Sequence, residues 1–202
     1  MFRFYSRKID FLWLFDRERL VMAATMMPDR LMLMMETDDT GLDSHEVTER
    51  RRSYGENVIS LPLGRRQCHV GLMNGRDLEG FLSQLAGRFI SVVRKGMKPF
   101  AALQGSRLVP GDLVFFVEGD IVPADIRVIE ADGLEVDQHI LTGVSGPVTK
   151  SADLGKGVSA IVSVTALADI CLAGSVVVGG KALGVVVSTG PATYLGKIIY
   201  GY

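Results

Sequence analysis

From residue 89 onward the chain is a series of short apolar runs separated by turns of glycine, proline and aspartate. This alternation constrains the fold more than any other feature. The clearest run is 113–117 (LVFFV), which lies between the turn sequences PGD and EGD. Runs of this length bounded by such residues are typical of buried strands. The second half of the chain is therefore predicted to be a compact β-domain, a distorted roll or barrel.

Further strands are predicted over 89–94, 126–129 and 134–136, the last two separated by a turn at 131–133. Two more apolar runs, 174–178 and 182–187, flank Gly-Gly-Lys at 179–181. That turn chemistry is typical of a hairpin, because glycine adopts the positive φ angles that tight turns require. A closing helix over 192–200 is predicted after Pro191.

The first part of the chain differs in composition, being rich in Met, Arg and Asp, and its signals are helical. Pro28 suits the first turn of a short helix, since its missing N–H would be unpaired there anyway. A second helix is predicted over 44–54, because Asp43 or Ser44 can cap its first turn and Gly55 can end it. Residues 61–80 have no periodicity and are predicted to be a loop.

The expected organisation follows from these signals. It is an N-terminal helical segment over 1–60, a linker over 61–87 and a β-domain over 88–202 that ends in a helix. The predicted fold class is accordingly α+β, mainly β.

Composition excludes several classes of protein. The 202 residues carry 22 Lys+Arg against 23 Asp+Glu, a formal net charge of −1, so bulk attraction to nucleic acid is not expected. Cys68 and Cys171 are too few for a disulfide framework or a four-thiolate zinc site, and reduced thiols are expected. No signal peptide and no membrane span are predicted, because the apolar stretches are interrupted by charges and glycines. We therefore expect a cytoplasmic location.

A few patterns could be functional sites but have simpler interpretations. The methionines between residues 22 and 35 could be soft metal ligands, and we interpret them as core filler. Arg50, Arg51 and Arg52 could bind phosphate, and we interpret them as a solvated helix face with ion pairs. Cys68 beside His69 could be a metal-binding or nucleophile pair, but adjacent side chains point in different directions, and we interpret the segment as a loop.

Three turn motifs occur in a fixed order. They are LVPGD at 108–112, GDIVPAD at 119–125 and VDQHILTGVSGPV at 136–148, followed by Lys150. This order resembles the actuator domain of P-type ion-transporting ATPases, whose pattern is LVPGD, GDxxPAD and VDxxxLTGESxPV followed by Lys. Residues 173–197 look like the hairpin and exit helix that end that domain. Residues 41–57 are similar to the helix pair before the first membrane span, in the style of the magnesium-importing subgroup.

The resemblance implies a role for the third motif. In the family this loop docks on the phosphorylated aspartate, and its Glu orients the attacking water. Here the four positions are Thr142, Gly143, Val144 and Ser145, and the isopropyl group of Val144 cannot accept a proton. We therefore expect no catalytic residue, cofactor or metal in this chain, whereas ATP and magnesium serve the full-length family.

Other residues of the motifs are interpreted structurally. Asp112, Asp120 and Asp125 are next to Gly or Pro, where a short carboxylate can accept backbone amides and lock a turn. Lys150 is expected to be exposed to solvent. His139 lies five residues before Val144 and is not a convincing substitute for the missing base.

Three hypotheses follow. The first is an actuator domain of a magnesium-type P-type ATPase that lacks the catalytic Glu, the Asp-Lys-Thr-Gly-Thr phosphorylation motif, the nucleotide domain and the membrane spans. The second is a binding module that docks on the phosphorylation domain of a complete P-type ATPase through residues 142–147 and modulates it, which would associate it with a membrane. The third, a small independent enzyme using Cys68 with His69, or His139, is disfavoured because no correctly spaced carboxylate accompanies either.

Overall fold

The computed structural model describes residues 16–62, 70, 75–153 and 163–201, with side chains of the first and fourth helices described from residues 18 and 77. The helices are α1 Asp16–Thr25, α2 Pro28–Met34, α3 Ser44–Tyr54, α4 Gly75–Gly87, α5 His139–Thr142 and α6 Tyr194–Tyr200. The strands are β1 Phe89–Val93, β2 Ala101–Gln104, β3 Leu113–Val117, β4 Asp125–Asp137, β5 Pro147–Thr149, β6 Ile170–Cys171 and β7 Val176–Ser188. The prediction of an α+β, mainly β fold is confirmed.

The described strands form one antiparallel sheet. Its order is β2-β1-β3-β7-β4-β5, and β6 pairs with β4 beside this path. Because β2 and β5 lie at opposite ends of the path, the sheet in the described part of the chain is open. The predicted β-domain is thus present, but the described strands do not close into a barrel.

Two predicted turns are wrong, because β4 and β7 each run unbroken for 13 residues and pair with one another along their length. The pairing contains register shifts, including one between Asp132 and Glu135, where the sequence predicts a turn. At the predicted hairpin, Gly180 has a φ of 71°, and a Cβ there would lie 2.3 Å from the carbonyl carbon of Gly133. The glycines therefore allow a bulge and a close strand approach rather than a chain reversal.

The two predicted N-terminal helices are present as α2 and α3. Asp43 caps α3: its Oδ1 accepts from Glu46 N at 2.8 Å, and Glu46 Oε2 accepts from Asp43 N at 2.7 Å. This reciprocal arrangement is a capping box. Helix α1 was not predicted from the sequence.

Helices α1 and α2 pack against the sheet. Residues of α1, α2 and the following turn share a buried cluster with sheet residues: Leu20, Ala23, Ala24, Leu31 and Met35 with Leu113, Ile170, Leu172, Val185 and Val187. Met35 is buried and Met26, Met32 and Met34 pack against the same cluster, which confirms the interpretation as core filler for these four methionines. Met27 is 57% exposed, so the interpretation is wrong for that residue.

The predicted loop over 61–80 is wrong from Gly75 onward, where α4 begins. Leu78, Leu82 and Leu85 of α4 are buried with Leu195 and Ile199 of α6. Their spacing of four and three residues is helical, but glycines at both ends and within the run obscure it. Cys68 and His69 lie outside the described residues, and the division at 60 and 88 stays a prediction.

Candidate functional site

Residues 142–145, which align with TGES in the motif noted above, form an exposed loop after α5. Helix α5 ends at Thr142 and is capped by Gly143, whose φ is 73° and whose N–H donates to His139 O at 2.7 Å. The side chain of Val144 is 72% exposed, and the neighbouring loop residues are exposed as well. The loop can therefore meet another surface without rearrangement of the sheet.

Backbone and hydroxyl groups shape this loop. The Thr142 hydroxyl donates to Gln138 O at 3.1 Å and accepts from Val144 N at 3.2 Å. Gln138 is buried, and its Nε2 donates to Thr165 O at 3.0 Å, which fixes the base of the loop to the turn Val164–Ala166. The side chain of Val144 takes no part in these hydrogen bonds, so the loop conformation does not depend on a carboxylate at this position.

His139 and Asp137 form the polar pair next to the loop. His139 Nδ1 lies 3.3 Å from Asp137 Oδ1, and the same oxygen accepts from His139 N at 2.8 Å. Asp137 thus orients the imidazole and accepts from the first backbone amide of α5. Local structure is therefore enough to account for the contact between His139 and Asp137. That His139 acts as a base stays an alternative hypothesis.

Asp112 and Asp120 lock turns as the sequence predicts. Asp112 Oδ2 accepts from Val109 N at 2.8 Å, and Asp120 Oδ2 accepts from Val117 N at 2.9 Å. Asp112 also binds Arg94 through both carboxylate oxygens, at 2.7 and 2.6 Å. The carboxylate is fully buried, so this pair joins β1 to the LVPGD turn in an environment that excludes water.

Asp125 has a longer-range role than the predicted turn lock. Its Oδ1 accepts from Ala173 N at 2.9 Å and its Oδ2 from Tyr194 N at 2.8 Å. The group is fully buried, and this burial raises the pKa of Asp125 to about 7, although the two amides and nearby Arg19 favour the charged form. Asp125 therefore ties the start of β4 to the start of α6.

Lys150 is a correction, since the sequence predicts an exposed cation and the structure buries it. Its Nζ donates to Leu167 O at 2.7 Å, and burial lowers its pKa. Arg127, which sequence reasoning missed, is also buried and lies 3.0 Å from Asp169 Oδ2. Arg127 Nε donates to Ala23 O at 3.1 Å, so this cluster connects α1 to the sheet. The sequence does contain a signal for Arg127, since it is a charged residue within the otherwise apolar run 126–129.

The predicted solvated face at Arg50, Arg51 and Arg52 is correct for one residue only. Arg52 pairs with Glu49 at 2.9 Å on the surface. In contrast, Arg50 donates to Pro110 O at 2.8 Å and to Met35 O at 2.6 Å, and Arg51 donates to Arg107 O at 2.9 Å. Two of the three guanidinium groups therefore bind carbonyls and hold α3 against the domain.

The described part of the chain contains neither a candidate metal site nor a candidate membrane span. No cluster of three or more His, Cys, Asp or Glu residues there could hold a metal ion. None of the described helices is long and apolar enough to cross a membrane.

Comparison with known proteins identifies the family of the β-domain. The family model of the P-type ATPase actuator domain matches residues 90–201, more than half of the chain. The calcium-transporting ATPase 1 of Schizosaccharomyces pombe and the calcium-transporting ATPase of Bacillus subtilis are each 38% identical over 117 residues, which is 58% of this chain. The sodium/potassium exporting P-type ATPase 1 of Saccharomyces cerevisiae is 35% identical over the same length.

These matches cover a small part of each relative. The aligned residues make up 12%, 13% and 10% of the three proteins, respectively. The match therefore concerns one domain and not the complete pumps. On the strength of the family match over residues 90–201, this chain belongs to the P-type ATPase actuator-domain family.

Proposed function

We propose that this chain acts as the actuator domain of a P-type cation-transporting ATPase, in which it docks on the phosphorylated domain without promoting hydrolysis. In a complete pump this domain couples dephosphorylation to ion transport, with ATP and magnesium serving the other domains. The observation that carries the proposal is the exposed loop 142–147, which is held in shape by Thr142 and Gln138 while Val144 replaces the carboxylate.

Docking and hydrolysis make different demands on this loop. Docking needs an exposed loop of defined shape, which the chain retains. Hydrolysis needs a group that accepts a proton from water within hydrogen-bond reach, and a valine side chain cannot do so. A docked Val144 would place an apolar group where the attacking water is oriented, so the phosphorylated state should persist.

A second candidate function is favoured by the same exposure of Val144. In it the chain binds a complete P-type ATPase from outside, on the cytoplasmic side of the membrane, and modulates that pump. The two candidates share the loop and the partner domain. They differ in whether the partner domain belongs to the same polypeptide.

The identity of the transported ion is a separate part of the proposal. The similarity of residues 41–57 to the magnesium-importing subgroup stays a prediction. The relatives found are named for calcium or for sodium and potassium.

The test adds the purified 202-residue chain to membranes that contain a calcium-transporting P-type ATPase labelled with radioactive phosphate from ATP. We expect the chain to sediment with the membranes and to slow the decay of the phosphoenzyme. Val144→Glu should bind equally without slowing the decay. Thr142→Lys, which alters the docking loop, is the matched control and should do neither.

Two results would count against the proposal. If the native chain and Thr142→Lys bind the membranes equally, the loop is not the docking surface. If the native chain and Val144→Glu affect the phosphoenzyme equally, the missing carboxylate has no functional meaning.

A further inference from the structure

Gln138 lies at the point where strand β4 leads into helix α5. Its backbone carbonyl accepts three hydrogen bonds from the next turn of chain: from Leu141 N at 2.9 Å, from Thr142 N at 3.1 Å and from the Thr142 hydroxyl at 3.1 Å. The same hydroxyl accepts from Val144 N. The first end of the loop 142–147 is therefore built on the backbone of Gln138.

The side chain of Gln138 binds a different part of the chain. It is buried, and its Nε2 donates to Thr165 O at 3.0 Å. Thr165 is the middle residue of the turn Val164–Ala166. Val164 is buried in one cluster with Leu20 and Ala23 of α1. The amide of Gln138 thus links the base of the loop to a turn that packs against α1.

The other atom of this amide has no partner in the described part of the chain. Gln138 Oε1 is buried there without a hydrogen bond. Leaving a buried acceptor unpaired costs at least as much free energy as one neutral hydrogen bond contributes. An apolar side chain of similar length would therefore serve the stability of the fold about equally well. What the glutamine adds is one hydrogen bond of fixed direction.

The two ends of the loop are held in different ways. At the second end, Pro147–Thr149 pair with β4, so the sheet fixes this end. At the first end, Leu141 packs against the buried cluster that α1 shares with the sheet, and such apolar contacts are non-directional. Within the described residues, the Gln138 amide is the side-chain hydrogen bond that joins α5 to another segment. A rotation of α5 would move Thr142 and, with it, Val144.

We propose that Gln138 is a positioning residue for the docking of the loop 142–147. Its amide holds α5 against the turn Val164–Ala166, so that Thr142 and Val144 keep the orientation in which they meet the phosphorylated domain. This inference rests on the docking function proposed above. It adds to that function a residue that does not touch the partner, because the side chain of Gln138 is buried.

Gln138→Met tests this role, because methionine has a similar length but neither donates to Thr165 O nor leaves an unpaired acceptor. The urea midpoint of unfolding should stay close to that of the native chain. In the free chain, amide hydrogen exchange at Gly143 and Val144 should become about two- to tenfold faster, which is the effect of losing one neutral hydrogen bond. The concentration of chain needed to slow phosphoenzyme decay should rise by the same factor.

The matched control is Gln84→Met, which makes the same substitution at an exposed position of α4. It should change neither the exchange, the urea midpoint nor the effect on the phosphoenzyme. The proposal is overturned if exchange at Gly143 and Val144 is the same in Gln138→Met and in the native chain. A large fall in the urea midpoint of Gln138→Met would also overturn it, since the amide would then stabilise the whole fold rather than orient the loop.

The phosphoenzyme measurement separates this proposal from the docking function. If Gln138→Met exchanges faster but slows the decay as strongly as the native chain, the docking function stands and the positioning role of Gln138 is overturned. If the native chain itself does not slow the decay, the docking function fails, and the role of Gln138 in docking fails with it. The exchange measurement needs no partner, so it reports on the hold of Gln138 on the loop in either case.

Discussion

The carboxylate of Asp112 holds both the LVPGD turn and the end of strand β1. Its carboxylate binds Arg94 at 2.7 and 2.6 Å and accepts from Val109 N at 2.8 Å, with Asp112 fully buried and Arg94 9% exposed. Asp112→Asn would leave a buried guanidinium without its counter-ion, so we expect a loss of about 3–5 kcal/mol in the free energy of unfolding.

Urea unfolding measures this loss, and Lys95→Gln is the control. Lys95 follows Arg94 in sequence but pairs with Asp38 in a solvent-exposed position. Its removal should change the stability little. Equal effects of the two substitutions would show that burial does not strengthen the Arg94–Asp112 pair.

The raised pKa of Asp125 predicts that the free energy of unfolding depends on pH. Burial raises its pKa from 3.8 to about 7, so between these values the folded protein holds a proton that the unfolded chain releases. Stability from this residue is therefore fully present below about pH 4 and falls as the pH rises to about 7. Asp169, whose pKa burial raises to about 6, acts in the same direction.

Asp125→Asn isolates the contribution of Asp125. Asn cannot titrate, and its amide nitrogen would face an N–H of Ala173 or Tyr194, so the variant should be less stable than the native chain near pH 5. The difference in unfolding free energy should shrink by about pH 8, and urea titrations at both values measure it. A difference that is independent of pH would mean that Asp125 stays ionised in the folded protein.

At the residue scale, the sequence predicts local contacts and misses distant ones. Asp112 and Asp120 lock turns within three residues, which the motif spacing already indicates. Lys150 and Arg50 bind carbonyls of Leu167 and Pro110, which are far away along the chain. Their burial depends on which segments the fold brings together, and no local pattern contains that information.

At the scale of elements, glycines decide how β4 and β7 pair. Gly133 and Gly180 both have positive φ, at 61° and 71°. A Cβ on Gly133 would meet no atom within 4 Å, whereas a Cβ on Gly180 would lie 2.3 Å from the backbone of Gly133. The two positions therefore share the same conformational demand but differ in available space.

This difference gives a matched pair of substitutions. Gly133→Ala should lower the free energy of unfolding by about 1–2 kcal/mol, because alanine is strained in the left-handed region. Gly180→Ala adds a steric overlap with the facing strand and should cost about 1–3 kcal/mol more. Thermal or urea unfolding of the two variants measures the difference. Equal losses would show that the strands can separate at the bulge without penalty.

The same glycines explain why the element predictions failed where they did. Gly-containing segments at 131–133 and 179–181 are typical of turns, and only the partner strand turns them into bulges. Helix α4 was missed for a related reason, since its leucines have helical spacing but Gly75, Gly80 and Gly87 suggest a loop. In contrast, α3 was predicted with correct bounds because its cap at Asp43 and its stop at Gly55 are local.

At the scale of the whole molecule, the N-terminal helices and the sheet share one core. Leu20 and Leu31 are buried with Leu113 and Val185, and Ala23 O accepts from the buried Arg127. The composition shift along the chain suggests separate units, but these contacts indicate that α1 and α2 complete the packing of the sheet. The exposed loop 142–147 then depends on these helices indirectly, through the sheet that positions α5.

Deleting residues 1–36 tests this dependence. The deletion removes α1 and α2, exposes apolar residues of β3 and β7, and takes away a carbonyl partner of Arg127. Because this loss is comparable with the total stability of a small domain, about 5–15 kcal/mol, we expect the remaining chain to be largely unfolded or to bind hydrophobic dyes. Circular dichroism and dye fluorescence measure both outcomes. Deletion of residues 1–15 alone, which keeps both helices, is the control and should leave the sheet folded. A cooperative, native-like transition after deletion of residues 1–36 would instead establish the β-domain as an independent folding unit.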